Sequence, residues 1–204
     1  LNYAFQLRKL TDAKISIADL DVVNPYFRSR ECTDEMAKYD IRIIGSSIKA
    51  EGVDTPAISA EVNTPLEDEK YHAILDVGGD KTGTRAIGRY VKYFTEGAYD
   101  MFFVVNANRE RTTSAKEALF FLREIEGASR IKVTGIVNTT HMLKSTTVKD
   151  IYKGEKVALE LSEMTGLPIK YTACLAHVAE QLDPEKVSGK IFPMKLFVRE
   201  VWMS

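Results

Sequence analysis

Apolar and polar positions along the chain follow two alternating periods. Short β-branched runs stand at 14–19 ("KISIAD"), 41–45 ("IRIIG"), 71–77 ("YHAILDV"), 100–107 ("DMFFVVNA"), 131–138 ("IKVTGIVN") and 168–173 ("PIKYTA"). Between them lie stretches with helical spacing at 31–39, 83–94, 112–126 and 154–165. The opening "LNYAFQLRKL" has apolar residues at 1, 4, 5, 7 and 10, an amphipathic helix leading into the first strand. Thr112 or Thr113 supplies an N-cap for the third internal helix and Gly127 its stop; Gly166, followed by Pro168, ends the fourth. Runs that are nearly all apolar imply strands buried on both faces, as in a parallel sheet covered by helices. The pattern therefore predicts one α/β domain over 1–204, a three-layer, mostly parallel sheet with helices on both faces. The polar segment 46–68 reads as an excursion rather than a boundary. The tail "IFPMKLFVREVWMS", with Pro193 and near-alternating Met194, Leu196 and Val198, reads as a strand or a packed tail rather than a membrane-lying helix.

Composition narrows this picture little. Lys and Arg number 28 against 29 Asp and Glu, a net charge of -1, so no global attraction to nucleic acid or membrane is expected; that total leaves room for a local basic patch. Two cysteines, Cys32 and Cys174, make no disulfide framework and point to a reducing, cytoplasmic setting. "CLAH" at 174–177 lacks the second ligand pair of a closed zinc site.

The chemistry gathers at strand ends. Asp19 and Asp21 straddle the carboxyl end of the strand at 14–19, the edge where open α/β sheets bind ligands. The strand at 71–77 runs into Asp76, Gly78 and Gly79. A carboxylate there reaches a Mg²⁺-bound water, while glycine lets the backbone approach a terminal phosphate. Asn138, at the end of "GIVN", has the amide that pairs with the N6/N7 edge of adenine. The positions after it hold Thr139, Thr140 and His141, with no acid to accept from guanine, so a bound nucleotide is expected to be ATP.

In order, "ADLDVVNPYFR", "ILDVGGDKTG", "FFVVNANRERTTS" and "VTGIVNTTH" resemble the MinD/ParA-like branch of the P-loop nucleotide-binding proteins, the group that includes CobQ/CobB-type enzymes. The resemblance covers nearly the whole chain and is nearest to bacterial ATP-binding members without an assigned role. It implies that Asp21 orients the attacking water, with Asp19 beside it. It implies further that Asp76 holds Mg²⁺ through water, that Gly78 and Gly79 approach the phosphates, and that Asn138 reads adenine. It also implies ATP and Mg²⁺ as cofactors, a protein partner, a dimer across the nucleotide face, and no direct contact with nucleic acid. The departure is the phosphate loop itself, Gly-x-x-x-x-Gly-Lys-[Ser/Thr], which no stretch of the 204 residues contains. By the resemblance the helix at 1–10 follows that loop, so the first strand and loop are expected immediately ahead of Leu1, and the strands of this chain are expected to form two half-sheets. The implied function is a nucleotide-dependent ATPase switch. The alternatives are a CobQ/CobB-type ATP-dependent ligase or synthetase, or a non-hydrolysing adaptor.

Overall fold

The computed structural model describes residues 1–21, 29–45 and 59–197; the expectations for 22–28, 46–58 and 198–204 lie outside the described residues. The chain is α/β and falls into two compact units, residues 1–93 with Phe197, and residues 94–196.

In the first unit, helix α1 (Asn2–Arg8) leads to strand β1 (Lys14–Asp19). A 3-10 turn (Ser29–Cys32) and α2 (Thr33–Ala37) then precede β2 (Ile41–Ile44). A second 3-10 turn (Ala60–Val62) and α3 (Asn63–Glu67) lead to β3 (Tyr71–Asp76). The unit ends in α4 (Lys81–Thr84), continued as a 3-10 helix over Arg85–Tyr93. The three strands form a parallel sheet in the order β2-β1-β3, with Ile17 facing Ile43 on one side and Ile74 on the other. Ala4, Ile15, Ile17, Cys32, Met36 and Ile41 make its buried cluster, with Phe197 packed against it.

In the second unit, β4 (Phe102–Val105), α5 (Ala115–Ser129), β5 (Gly135–Asn138), α6 (Val148–Thr165), β6 (Ile169–Leu175), α7 (Ala176–Ala179) and β7 (Lys190–Met194) follow one another. Their strands form a parallel sheet ordered β4-β5-β6-β7. Phe103, Val105 and Ile136 bury against Ala118, Leu122, Val157 and Leu161 of α5 and α6. Each large side chain in that cluster contributes roughly 1.5–3 kcal/mol. The alternate positions carry an edge-to-face row, Phe102 to Tyr171 at 5.8 Å and Tyr171 to Phe192 at 5.3 Å between ring centroids.

The expected burial on both faces holds for β1, where Ile15 through Asp19 are all buried, but not for β3 or β4. Val104 of β4 is 56% exposed. The reason is position: β1 is central in its sheet, whereas β3 and β4 lie at the edges of theirs, and strand order cannot be read from apolar content.

Helix ends also differ from expectation. Neither Thr112 nor Thr113 caps α5; Ser114 does, in a reciprocal box with Glu117. Gly127 lies inside α5, which ends instead at Arg130 in the left-handed region (φ 61°). Helix α6 begins six residues before the expected 154, because Thr147 and Asp150 form a second capping box. Gly166 does end it, at φ 74°. The tail residues Lys190–Met194 form a strand, β7. Among the described residues no helix is long and apolar enough to cross a membrane.

Candidate functional site

The carboxyl edge of the first sheet gathers five of the six residues singled out above. β1 and β3 run parallel and in register, so Asp19 stands beside Asp76 as its lateral neighbour. The register is carried one residue further by Leu20 N–H, which donates to the Asp76 carbonyl at 2.8 Å. Asp19 is buried, and its Oδ1 accepts from the Asp21 amide at 3.2 Å. That bond is an Asx turn: it fixes the direction in which the chain leaves β1 and so aims the Asp21 side chain. Asp76 is exposed at the edge.

The loop after β3 packs onto the start of α4. Asp80 caps that helix by accepting from Gly83 N–H at 2.6 Å, and the Thr84 hydroxyl donates to the Gly78 carbonyl at 3.0 Å. A methyl group placed on Gly78 would lie 2.9 Å from Gly83 Cα and 3.1 Å from Asp21 Oδ1. Glycine is therefore required at 78 because two backbones and the Asp21 carboxylate converge there. The expectation for Gly78 was a close approach to a phosphate; the close approach in this structure is to Gly83 and Asp21. Gly79 differs, since a methyl there would meet nothing within 4 Å. It stands open at the tip of the loop.

The sixth residue, Asn138, lies in the second unit and is completely buried. Its amide nitrogen donates to the Ile151 carbonyl at 3.1 Å and to Glu155 Oε2 at 3.4 Å, while its oxygen accepts from Thr140 N–H at 3.0 Å. Glu155 is buried too and also accepts from the Thr172 hydroxyl and from Ser188 N–H, the latter at 2.6 Å. The amide that was expected to read a base instead ties β5 to α6 and presents nothing outward. The sequence cue behind that expectation, an Asn at a strand end, is shared by any side chain that bonds a packed helix, and Glu155 gave no signal as its partner. His141 bonds within the second unit: its backbone N–H donates to Asn106 Oδ1 at 3.4 Å and its Nδ1 accepts from Leu143 N–H at 3.2 Å.

Among the described residues, no three of His, Cys, Asp and Glu gather as a metal site built from protein alone. Asp19 and Asp76, adjacent at one sheet edge, fit a different kind of cation site. Mg²⁺ keeps several waters and takes one or two carboxylates together with the phosphates of its substrate.

A cavity of about 390 Å³ lies in the second unit, lined by Thr146, Thr147, Val148, Lys149, Val178 and Gln181 at the start of α6. None of the sequence-derived site residues lines it. Compared with models of known protein families and with curated proteins, the chain matches none.

Proposed function

We propose that the carboxyl edge of β1 and β3 is the carboxylate side of a Mg²⁺–ATP site, and that the protein acts as a nucleotide-dependent switch ATPase of the MinD/ParA-like kind. The observation that carries this reading is the convergence of Asp21 on Gly78, with Asp19 and Asp76 side by side beneath them. Two loops that leave neighbouring strands thus meet at the buried Gly78, one bringing the Asp21 carboxylate and the other carrying the open Gly79 next in sequence.

The roles divide by position. Asp19 is a positioning residue: buried and bonded to the Asp21 amide, it sets the path of the loop. Asp21 projects beyond the sheet edge and is the group that orients a water for attack on a terminal phosphate. Asp76, exposed at the edge, holds the water shell of Mg²⁺, and the metal when bound draws charge from the phosphate oxygens. Gly79, unhindered at the loop tip, gives the backbone room beside a phosphate. A phosphate-binding loop of the kind the resemblance implies would complete the site. A preference for adenine rests on the resemblance alone, since Asn138, after which a guanine-reading acid would stand, is buried and bonded to Ile151 and Glu155.

The test uses a chain that carries such a loop ahead of Leu1. Asp21→Ala should leave Mg²⁺–ATP binding intact while lowering hydrolysis roughly 100-fold, the loss expected for a positioned base. Asp76→Ala should weaken the Mg²⁺-dependent part of binding itself. Hydrolysis by Asp21→Ala at the unaltered rate would leave Asp21 as a turn residue and refute the assignment.

A further inference from the structure

The peptide between Gly78 and Gly79 is the part of the loop after β3 least fixed by its own residues. Neither residue has a side chain to limit rotation, so the peptide plane turns over at little cost unless something else holds it. Turning it over changes the group it presents, because in a trans peptide one residue's carbonyl and the next residue's N–H point in opposite directions. In this structure the carbonyl side is held. Thr84, the last residue of α4 and only 1% exposed, donates its hydroxyl to the Gly78 carbonyl at 3.0 Å. The same hydroxyl lies 2.5 Å from the Asp80 carbonyl, but that oxygen also accepts from Thr84 N–H at 2.9 Å and stays bonded without it. The Gly78 carbonyl has no such second bond: among the described residues the Thr84 hydroxyl is its one partner. With that carbonyl turned toward α4, the Gly79 N–H is turned away from it. Gly79 is exposed, a methyl group there would meet nothing within 4 Å, and among the described residues nothing accepts from its N–H.

We propose that Thr84 is a positioning residue, whose hydroxyl holds the peptide between Gly78 and Gly79 with its carbonyl inward and the Gly79 N–H outward. A hydroxyl that served only to finish α4 would need the Asp80 carbonyl alone; this one also reaches across to the loop. The rest of the junction keeps Gly78 itself in place, since Gly83 and the Asp21 carboxylate close on the position where a side chain would begin. What remains adjustable is the orientation of the peptide, and that decides the sign of the group offered at the open tip. Held as it is, the peptide offers a donor, which suits an anionic oxygen; turned over, it would offer an oxygen and repel one. The ligand oxygen is then one of the terminal phosphate of ATP, and this part alone rests on the nucleotide reading above. Removing the hydroxyl strands a buried carbonyl, and the peptide is free to rotate toward water to satisfy it.

The experiment compares Thr84→Val, which keeps the branched shape and removes the hydroxyl, with Thr84→Ser, which keeps the hydroxyl. Circular dichroism checks that both are folded. In the full chain, nuclear magnetic resonance reads the Gly78 carbonyl ¹³C shift, which reports its hydrogen bond, and the order parameter of the Gly79 N–H. The order parameter should be about 0.85 in the parent and in Thr84→Ser, and below about 0.6 in Thr84→Val, with the carbonyl shift moved only in the latter. Thr84→Val with both signals unchanged, or Thr84→Ser behaving like Thr84→Val, would overturn the proposal. In a chain that carries a phosphate loop, Thr84→Val should weaken Mg²⁺–ATP by about tenfold or more, leave ADP affinity unchanged, and be rescued by Thr84→Ser. Equal losses for ATP and ADP would mark a merely structural hydroxyl and overturn the positioning role. If that parent chain binds no ATP, the nucleotide reading fails, whereas the carbonyl shift and order parameter still decide whether Thr84 sets the peptide.

Discussion

Replacing Gly154 by alanine places a methyl group inside the buried contact between α6 and β5. It would lie 2.0 Å from Thr140 Oγ1, 2.3 Å from Asn138 Oδ1 and 2.6 Å from Thr140 Cβ. Ordinary contact begins near 3.4 Å, so one element must move by more than an ångström. Neither side chain has room to yield, since Asn138 and Thr140 are both 0% exposed. Thr140 Oγ1 also accepts from Ala107 N–H at 3.0 Å, and Asn138 holds its three bonds to α6 and Thr140. Overpacking together with one or two stranded buried bonds amounts to about 3–5 kcal/mol, well above the roughly 1 kcal/mol that alanine returns through helix propensity. For a chain of this length the loss corresponds to a fall in Tm of about 6–20 °C. Gly127→Ala is the internal control: it is also inside a helix, but a methyl there meets nothing within 4 Å, so it should raise stability by about 0.5–1 kcal/mol. Urea unfolding followed by far-ultraviolet circular dichroism measures both. Thr140→Ala, which removes the nearest obstructing atom, should cost less in the Gly154→Ala background than alone. Gly154→Ala at or above the stability of the parent chain would refute the packing argument.

Three other outcomes are expected. Burial pushes the Glu126 carboxyl up, but bonds from Val133 N–H, Lys132 and Arg123 outweigh it and hold its pKa below the ordinary value. Its stabilisation is therefore full above the unfolded value of about 4.3 and is lost as pH falls through the folded one; Glu126→Gln should flatten the acid limb of stability against pH, and an unchanged limb would refute the assignment. Burial pushes the Cys174 thiol up to about 11, so iodoacetamide at pH 8 should modify it, by mass spectrometry, at under about a tenth of the rate in urea; equal rates would contradict its burial. In a chain carrying a phosphate loop, ATP should displace a fluorescent ATP analogue about tenfold or more better than GTP does, and equal displacement would refute the adenine preference that the resemblance implies.

Much of the fold is written in local pattern. Six of the seven strands among the described residues stand within or across the apolar runs, and the tail gave the seventh as a strand or packed segment, because a β-branched run has few other ways to bury itself. Gly166 was legible as a helix stop for an equally local reason, since a left-handed residue favours glycine. Gly127 shows the limit of that rule: the same residue type stands inside a helix, while Arg130 takes the left-handed position.

The strand-end acids were legible as a group, because a carboxylate after a buried strand in a parallel sheet emerges at the binding edge. Tertiary structure decided what each one meets. Only the in-register pairing of β1 with β3 makes Asp19 the neighbour of Asp76, and only the packing of the loop on α4 brings Asp21 against Gly78. It also decided that Asn138 faces Glu155 and the Ile151 carbonyl, seventeen and thirteen residues away along the chain. Burial of β3 and β4 depended likewise on strand order, a property of the sheet rather than of any segment. Sequence fixes the local period of a chain, whereas a partner across a sheet or beneath a helix is chosen by three-dimensional packing, and it is the partner that sets the role of a polar side chain.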